Sequence, residues 1–151
     1  MAKLGRYAAD RKKVSSVTTG TSTTMTVAQC GTIFSVDAAS ATYLTLPSVA
    51  AAGAGWWCKV VKNSAAGGNI ITIYSSGGSS SGATAGEDVL HGGASIGDTS
   101  SRAYAGTSGT AGDLVSIAAA ATLGDWVEFW CDGTYMYWFG SSAIDSGIVA
   151  G

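Results

Sequence analysis

The chain has 151 residues, a formal net charge of −2 and only 12% charged residues. That length suits one domain with a substantial core, and a 46% hydrophobic content excludes charge-driven disorder. Thirty-five Val, Ile and Thr residues against sixteen Leu, Glu, Lys and Arg exclude a helical bundle, and with 22 glycines they point to strands and tight turns.

Residues 1–14 read as a basic arm. Lys3, Arg6, Arg11, Lys12 and Lys13 stand against the single acid Asp10 in the first 13 residues, a local charge of +4, whereas the remaining 138 residues carry −6. Leu4, Tyr7 and Ala8 fall at i, i+3, i+4, the spacing of one or two helical turns. So short a helix is marginal alone, so the arm is expected to be extended or to take helical form against a partner. Residues 15–151 form the second expected unit, an all-β sandwich or jelly-roll-like barrel.

Within that body, SSVTTGTSTTMT (15–26) is polar and β-branched, suited to a linker or an edge strand. TIFSV (32–36) reads as a strand. TYLTL (42–46) alternates, with Leu44 and Leu46 on one face, and Pro47 stops it because proline cannot donate to a ladder. AAAGAG (50–55) reads as a turn of small residues. WWCKVVK (56–62) and IITIY (70–74), separated by a seven-residue loop, are expected to pair as a hairpin. SSGGSSSGATAG (75–86) is low-complexity and reads as an exposed, mobile loop. Residues 87–112 carry only short apolar islands and give no clear register. LVSI (114–117) reads as a strand, and AAAAT (118–122) as a helical turn cut off by Gly124.

WVEFWC (126–131) and TYMYWF (134–139) flank Asp132-Gly133, the signature of a two-residue type I′ hairpin. That turn would set Cys131 against Thr134, Phe129 against Met136 and Val127 against Trp138. On the opposite face it would set Trp130 against Tyr135, Glu128 against Tyr137 and Trp126 against Phe139. Both faces are then apolar, where a solvated hairpin has one polar face. Two arrangements satisfy this: a strand pair buried centrally in a sandwich, or a subunit interface formed by Trp126, Trp130, Tyr135, Tyr137 and Phe139.

Residues for catalysis are sparse. The one histidine, His91 in LHGGA, reads as a loop residue without a neighbouring nucleophile. Cys30, Cys58 and Cys131 are odd in number and far apart, which predicts reduced thiols in a chain folded in cytoplasm. No C-x-x-C, H-E-x-x-H or G-x-x-x-x-G-K-[ST] pattern occurs, so no metal, cofactor or nucleotide is expected. Glu87-Asp88, and Glu128 and Asp132 beside aromatics, are the only carboxylate groupings suggestive of a sugar site, against a background of turn acids. No apolar run approaches ~18 residues, so no membrane span is expected. The basic arm suits an acidic protein surface better than nucleic acid, since five bases with one tyrosine form a weak phosphate-binding signal.

TYLTLPSVAAAGAGWWCKVVKNSAAGGNIITI (42–73) followed by GDWVEFWCDGTYMYWFG (124–140) resembles a recurring pattern in virion structural proteins of tailed double-stranded DNA phages, especially phages of marine bacteria and cyanobacteria. The resemblance covers roughly residues 26–149. It implies a non-catalytic β module acting as a symmetric oligomer, commonly a trimer. A single small module with a charged arm is most similar to a head decoration (cement) protein. The expected partners are the major capsid protein, met through Lys3, Leu4, Arg6, Tyr7, Arg11, Lys12 and Lys13, and further copies of the chain. The expected location is the outer surface of the capsid. The alternative within the same class is a tail-fibre or head-fibre component that binds host glycan.

Overall fold

In the computed structural model the chain winds between two sheets. The described residues are 12–18, 20, 22–37, 39–65, 68–78, 87–97, 102–106 and 113–151. Lys3, Leu4, Arg6, Tyr7 and Arg11 of the expected arm, and most of the loop 75–86, lie outside them; Lys12 and Lys13 lie inside.

The first six strands alternate strictly. β1 (Lys13–Val17), β3 (Thr32–Val36) and β5 (Trp57–Lys62) run parallel in one sheet. β2 (Ser22–Thr24), β4 (Thr42–Thr45) and β6 (Ile71–Tyr74) run parallel in the other. The result is a coil of three rungs. Parallel neighbours need a crossover, and here the crossover is itself a strand of the opposite sheet. The connection 37–41 has five residues, which reach up to about 17 Å when extended; the sheets of a sandwich stand ~10 Å apart.

Six more strands complete the sandwich: β7 (Leu90–Gly97), β8 (Arg102–Gly106), β9 (Leu114–Ile117), β10 (Trp126–Cys131), β11 (Met136–Ser142) and β12 (Ile148–Ala150). The seven-stranded sheet has the order β1-β3-β5-β10-β11-β7-β8 and the five-stranded sheet the order β12-β9-β6-β4-β2. The protein is therefore an all-β sandwich of two mixed sheets. Of the two expected architectures, the sandwich is the one formed.

Alternation decides which residues fill it. Phe34, Cys58, Val60, Val127, Phe129 and Trp138 point inward from the large sheet, and Leu44, Ile71, Ile73, Val115, Ile117 and Ile148 from the small one; all are buried. The outer face of the small sheet is polar: Ser116 Oγ donates to Thr72 Oγ1 at 3.2 Å, and Tyr43 stacks on Tyr74. Thr72 and Ser116 are themselves buried, and their hydroxyls satisfy each other.

Several local expectations change. Trp57–Lys62 and Ile71–Tyr74 do not form a hairpin. β5 pairs with β3 and β10, while β6 pairs with β4 and β9 in the other sheet. The loop between them crosses the sandwich instead of turning back within one sheet. Lys13 and Val14, assigned to the arm, begin edge strand β1, so the body starts before residue 15. The small-residue stretch after Pro47 contains one helical turn, α1 (Val49–Ala52), whose Ser48 Oγ accepts from Ala51 N at 3.2 Å. Ala118–Ala121 closes as a turn, Ala121 N to Ala118 O at 3.1 Å, and not as a helix. The unclear stretch 87–112 contains β7 and β8, whose Gly, Ala and Ser content hid them. Gly92 in β7 has a structural reason: a Cβ there would collide with the carbonyl of Trp138 on β11.

The hairpin β10–β11 forms, in a different register. Cys131 faces Met136, Phe129 faces Trp138 and Val127 faces Gly140; on the other face Trp130 meets Tyr137, Glu128 meets Phe139 and Trp126 meets Ser141. Asp132 keeps a negative φ, which a type I′ turn does not allow; Gly133 alone is positive, at 97°. Asp132 Oδ1 instead accepts from the backbone N–H groups of Thr134 and Tyr135, each at 2.7 Å. The loop therefore takes four residues and the pairing moves by two. A two-residue shift leaves every side chain on its expected face, where a one-residue slip would have reversed them all.

Two polar residues are built into the sandwich end. Lys62 is fully buried, and its Nζ donates to the carbonyls of Asn69 (3.1 Å), Ala118 (3.3 Å) and Ala119 (3.3 Å). Burial lowers its pKa, and the charge of Asp125 partly opposes that. The Asp125 carboxylate accepts from Thr122 N, Thr122 Oγ1, Ser142 Oγ and Ala143 N at 2.7–3.0 Å.

Burial also pushes the Cys58 thiol well above its ordinary 9.0, helped by Glu128 and Cys30. A raised pKa means the folded state keeps a proton that the unfolded chain loses. The associated stability is complete below pH 9.0 and falls as pH rises above it, by up to about 1.4 kcal/mol per pH unit. Tyr74, also raised, acts in the same direction, and Lys62 in the opposite one. Cys58→Ala isolates the thiol: its urea midpoint should decline less steeply than wild type between pH 8.5 and pH 10.5. Parallel curves would show that the Cys58 proton makes no contribution.

Candidate functional site

The outer face of the large sheet carries the aromatic residues. Each element contributes its outward positions: Trp57, Lys59 and Val61 from β5; Trp126, Glu128 and Trp130 from β10; Tyr137, Phe139 and Ser141 from β11; His91 and Ser95 from β7. The registers align these in rows across the strands. One row reads Trp57, Trp130, Tyr137, His91; the next reads Ile33, Lys59, Glu128, Phe139.

The rings contact one another along and between rows. Trp130 stacks on Tyr137 at 4.4 Å with an interplanar angle of 19°. His91 meets the edge of Tyr135 at 4.8 Å, and Trp126 meets Phe139 at 5.9 Å. Lys59 Nζ lies 3.5 Å from the centroid of Trp126, a cation–π contact that keeps an ammonium on an otherwise apolar surface. The N–H groups of Tyr135 and Thr134 hold the Asp132 carboxylate below its usual range, while desolvation and the Asp132 charge raise Tyr137.

Trp130 and Phe139 are each 47% exposed and Tyr135 42%. At about 200 Å² per aromatic side chain, these three leave roughly 300 Å² of apolar surface open to solvent. That equals a large patch on an ordinary monomer before Trp57, Trp126, Tyr137 and Val14 are added.

All five residues singled out from the sequence, Trp126, Trp130, Tyr135, Tyr137 and Phe139, come together on this face. Of the two arrangements open for them, burial within one domain is not the one formed: the inward side of β10 and β11 fills the core, and this side faces out. Sequence reasoning missed Trp57 and His91. His91 is not in a loop; it stands on β7, directly opposite Tyr137. Both residues join through long-range pairings, for which the local sequence holds no signal.

The basic segment meets the same face. Lys12 Nζ lies 5.8 Å from the Trp57 ring centroid. Lys12, Gly55, Trp57, Glu128, Trp130 and Cys131 line a shallow groove of about 350 Å³. Gly31 supports it: its φ of +77° turns the chain into β3, and its N–H donates to Trp57 O at 2.8 Å.

Other groups considered in the sequence are dispersed. Cys58 and Cys131 are buried, Cys30 is exposed, and Glu87 and Asp88 are exposed just before β7. Among the described residues no three His, Cys, Asp or Glu side chains gather as a metal site, and no helix is long and apolar enough to cross a membrane. No family model, curated protein or solved structure matches the chain.

Proposed function

We propose that this protein is a head decoration (cement) protein of a tailed double-stranded DNA phage. It coats the outer surface of the capsid as a homotrimer and stabilises contacts between major capsid subunits. The observation that carries this reading is the junction at Trp57. There the basic N-terminal segment, arriving at Lys12, meets the margin of an exposed aromatic sheet face. Lys12, where the basic segment joins the body, and an apolar face lie side by side, which suits a protein that docks on one partner while packing against its own copies.

The division of labour follows from chemistry. Lys3, Arg6, Arg11, Lys12 and Lys13 make charge-assisted contacts with acidic groups of the major capsid protein, and Leu4 and Tyr7 supply apolar anchors. Trp126, Trp130, Tyr135, Tyr137 and Phe139 supply the subunit contact, the residue types that dominate such interfaces. Each arm binds modestly, but three arms on one trimer engage with a high effective concentration. The body performs no reaction in this reading.

Deletion of residues 1–11 tests it without touching β1. The truncated protein should melt as wild type and keep its oligomeric mass. It should fail to sediment with capsids of the encoding phage from which the native protein has been removed. Full occupancy by the truncated protein would reject the tether, and cryo-electron microscopy that located the chain only on the tail would reject the assignment to the head.

A further inference from the structure

The groove between Trp57 and Trp130 has features that a plain subunit contact does not need. Its walls are two indoles from adjacent strands, directly paired in register. Trp130 is held in position by its stack on Tyr137. Lys12 and Glu128 bring one cation and one carboxylate into the same lining, and Gly55 adds small-residue backbone. We propose that this groove binds an uncharged pyranose sugar, one or two rings long.

The argument is complementarity. A pyranose has an apolar C–H face and a rim of hydroxyls that both donate and accept. Trp130, held by its stack on Tyr137, offers flat apolar surface to the first at little cost in conformational entropy, and Trp57 adds the second wall with the Lys12 ammonium over its ring. Glu128 accepts from the second and Lys12 donates to it. One cation and one carboxylate in the lining give no net attraction for a charged ligand of either sign. A purely apolar ligand would desolvate both charges without partners. The volume of about 350 Å³ lies at the small end of ligand sites and suits one or two rings. The groove lies on the Trp57 side of Trp130, at the margin of the sheet face; Trp130 is shared with the proposed subunit contact, and a subunit centred on Trp126 and Phe139 leaves its Trp57 side accessible. This inference goes beyond the decoration reading and stands without it.

Saturation-transfer NMR on the intact protein tests it, using the methyl glycosides of glucose, galactose, mannose and N-acetylglucosamine as probes. At least one should show saturable transfer to its ring protons. Trp57→Ala and Trp130→Ala should abolish the transfer while far-UV circular dichroism still reports the β fold. Trp57→Phe, which keeps a ring, should retain part of it even if an alanine variant fails to fold. Glu128→Gln should weaken binding about tenfold through loss of a charge-assisted acceptor. Absence of transfer from all four probes would overturn the proposal. So would undiminished transfer in folded Trp130→Ala, or tighter binding of methyl glucuronide than of methyl glucoside. Protection of Trp57 and Trp130 from acrylamide quenching in the sugar-free oligomer would show that a second copy covers the groove, and would also overturn it. Sedimentation of the wild-type protein with capsids does not depend on whether a sugar binds, so the two proposals fail separately.

Discussion

Lys62→Ala is expected to destabilise the fold by about 2–5 kcal/mol, the range for truncating a long buried side chain, enough to threaten a domain of ordinary stability. The residue is fully buried at the end of the sandwich, with one carbonyl acceptor from the β5–β6 connection and two from the turn after β9. Its three protons have three acceptors, which is why an ammonium is tolerated there. Alanine leaves a cavity and strands those carbonyls at about 1–3 kcal/mol for each group left truly unsatisfied. Methionine separates the two effects, since it refills the volume without donating. Lys62→Met should recover only the packing part, and urea unfolding of the three proteins checks this. A methionine variant as stable as wild type would show that the carbonyl contacts contribute nothing net. Asp125 belongs to the same unit, because it favours the charged form of Lys62 while tying Thr122 to Ser142 and Ala143.

The second large effect is expected at the aromatic face. Phe139→Ser combined with Trp126→Ser should convert the oligomer to a folded monomer. Phe139 faces outward and Trp126 is half-covered by Lys59, so neither supports the core. Buried aromatic anchors at interfaces contribute about 2 kcal/mol or more each, which is roughly thirtyfold in affinity. Light scattering should read about three times 15.0 kDa for wild type and one chain mass for the double variant. Thermal melts at low protein concentration should be close for the two. A wild-type protein that remains monomeric at every concentration would remove the trimer and leave the aromatic surface without its proposed partner.

The two effects differ in how visible they were beforehand. The aromatic face was legible because strand periodicity is local. Residues two apart share a side, so WVEFWC puts Trp126 and Trp130 on one side of its strand and TYMYWF puts Tyr137 and Phe139 on one side of its own, and any even shift of the turn keeps the two pairs on one surface. The turn was misread, since Asp-Gly satisfies a type I′ hairpin and an Asx-type four-residue loop about equally well. The difference lies in where the Asp132 carboxylate points. That error was harmless to the face because the shift was even.

Lys62 was not legible as a buried residue. In WWCKVVK it alternates with Trp57, Lys59 and Val61 and falls on the same side as Cys58 and Val60, which assigns it inward. Composition argues against that alternation, since a lysine usually goes outward, and the carbonyls of Asn69, Ala118 and Ala119 are what make the inward position tenable. The same holds for the separation of β5 from β6. Both are good strands with a loop that permits a hairpin. They sit in opposite sheets because β3 and β10 compete for the edges of β5, and β4 and β9 for those of β6.

The amino-acid order alone determined the all-β class, the strand interiors between Thr32 and Tyr74 and between Leu114 and Phe139, though none in 87–112, and the side on which each aromatic of the last hairpin stands, since propensity and the two-residue period act over a few neighbours. Tertiary structure decided which strands are partners, how Trp57 and His91 complete the aromatic rows, and how Lys62 is satisfied. Those outcomes depend on which distant segments close their loops and pack best, and no short stretch of chain carries that information.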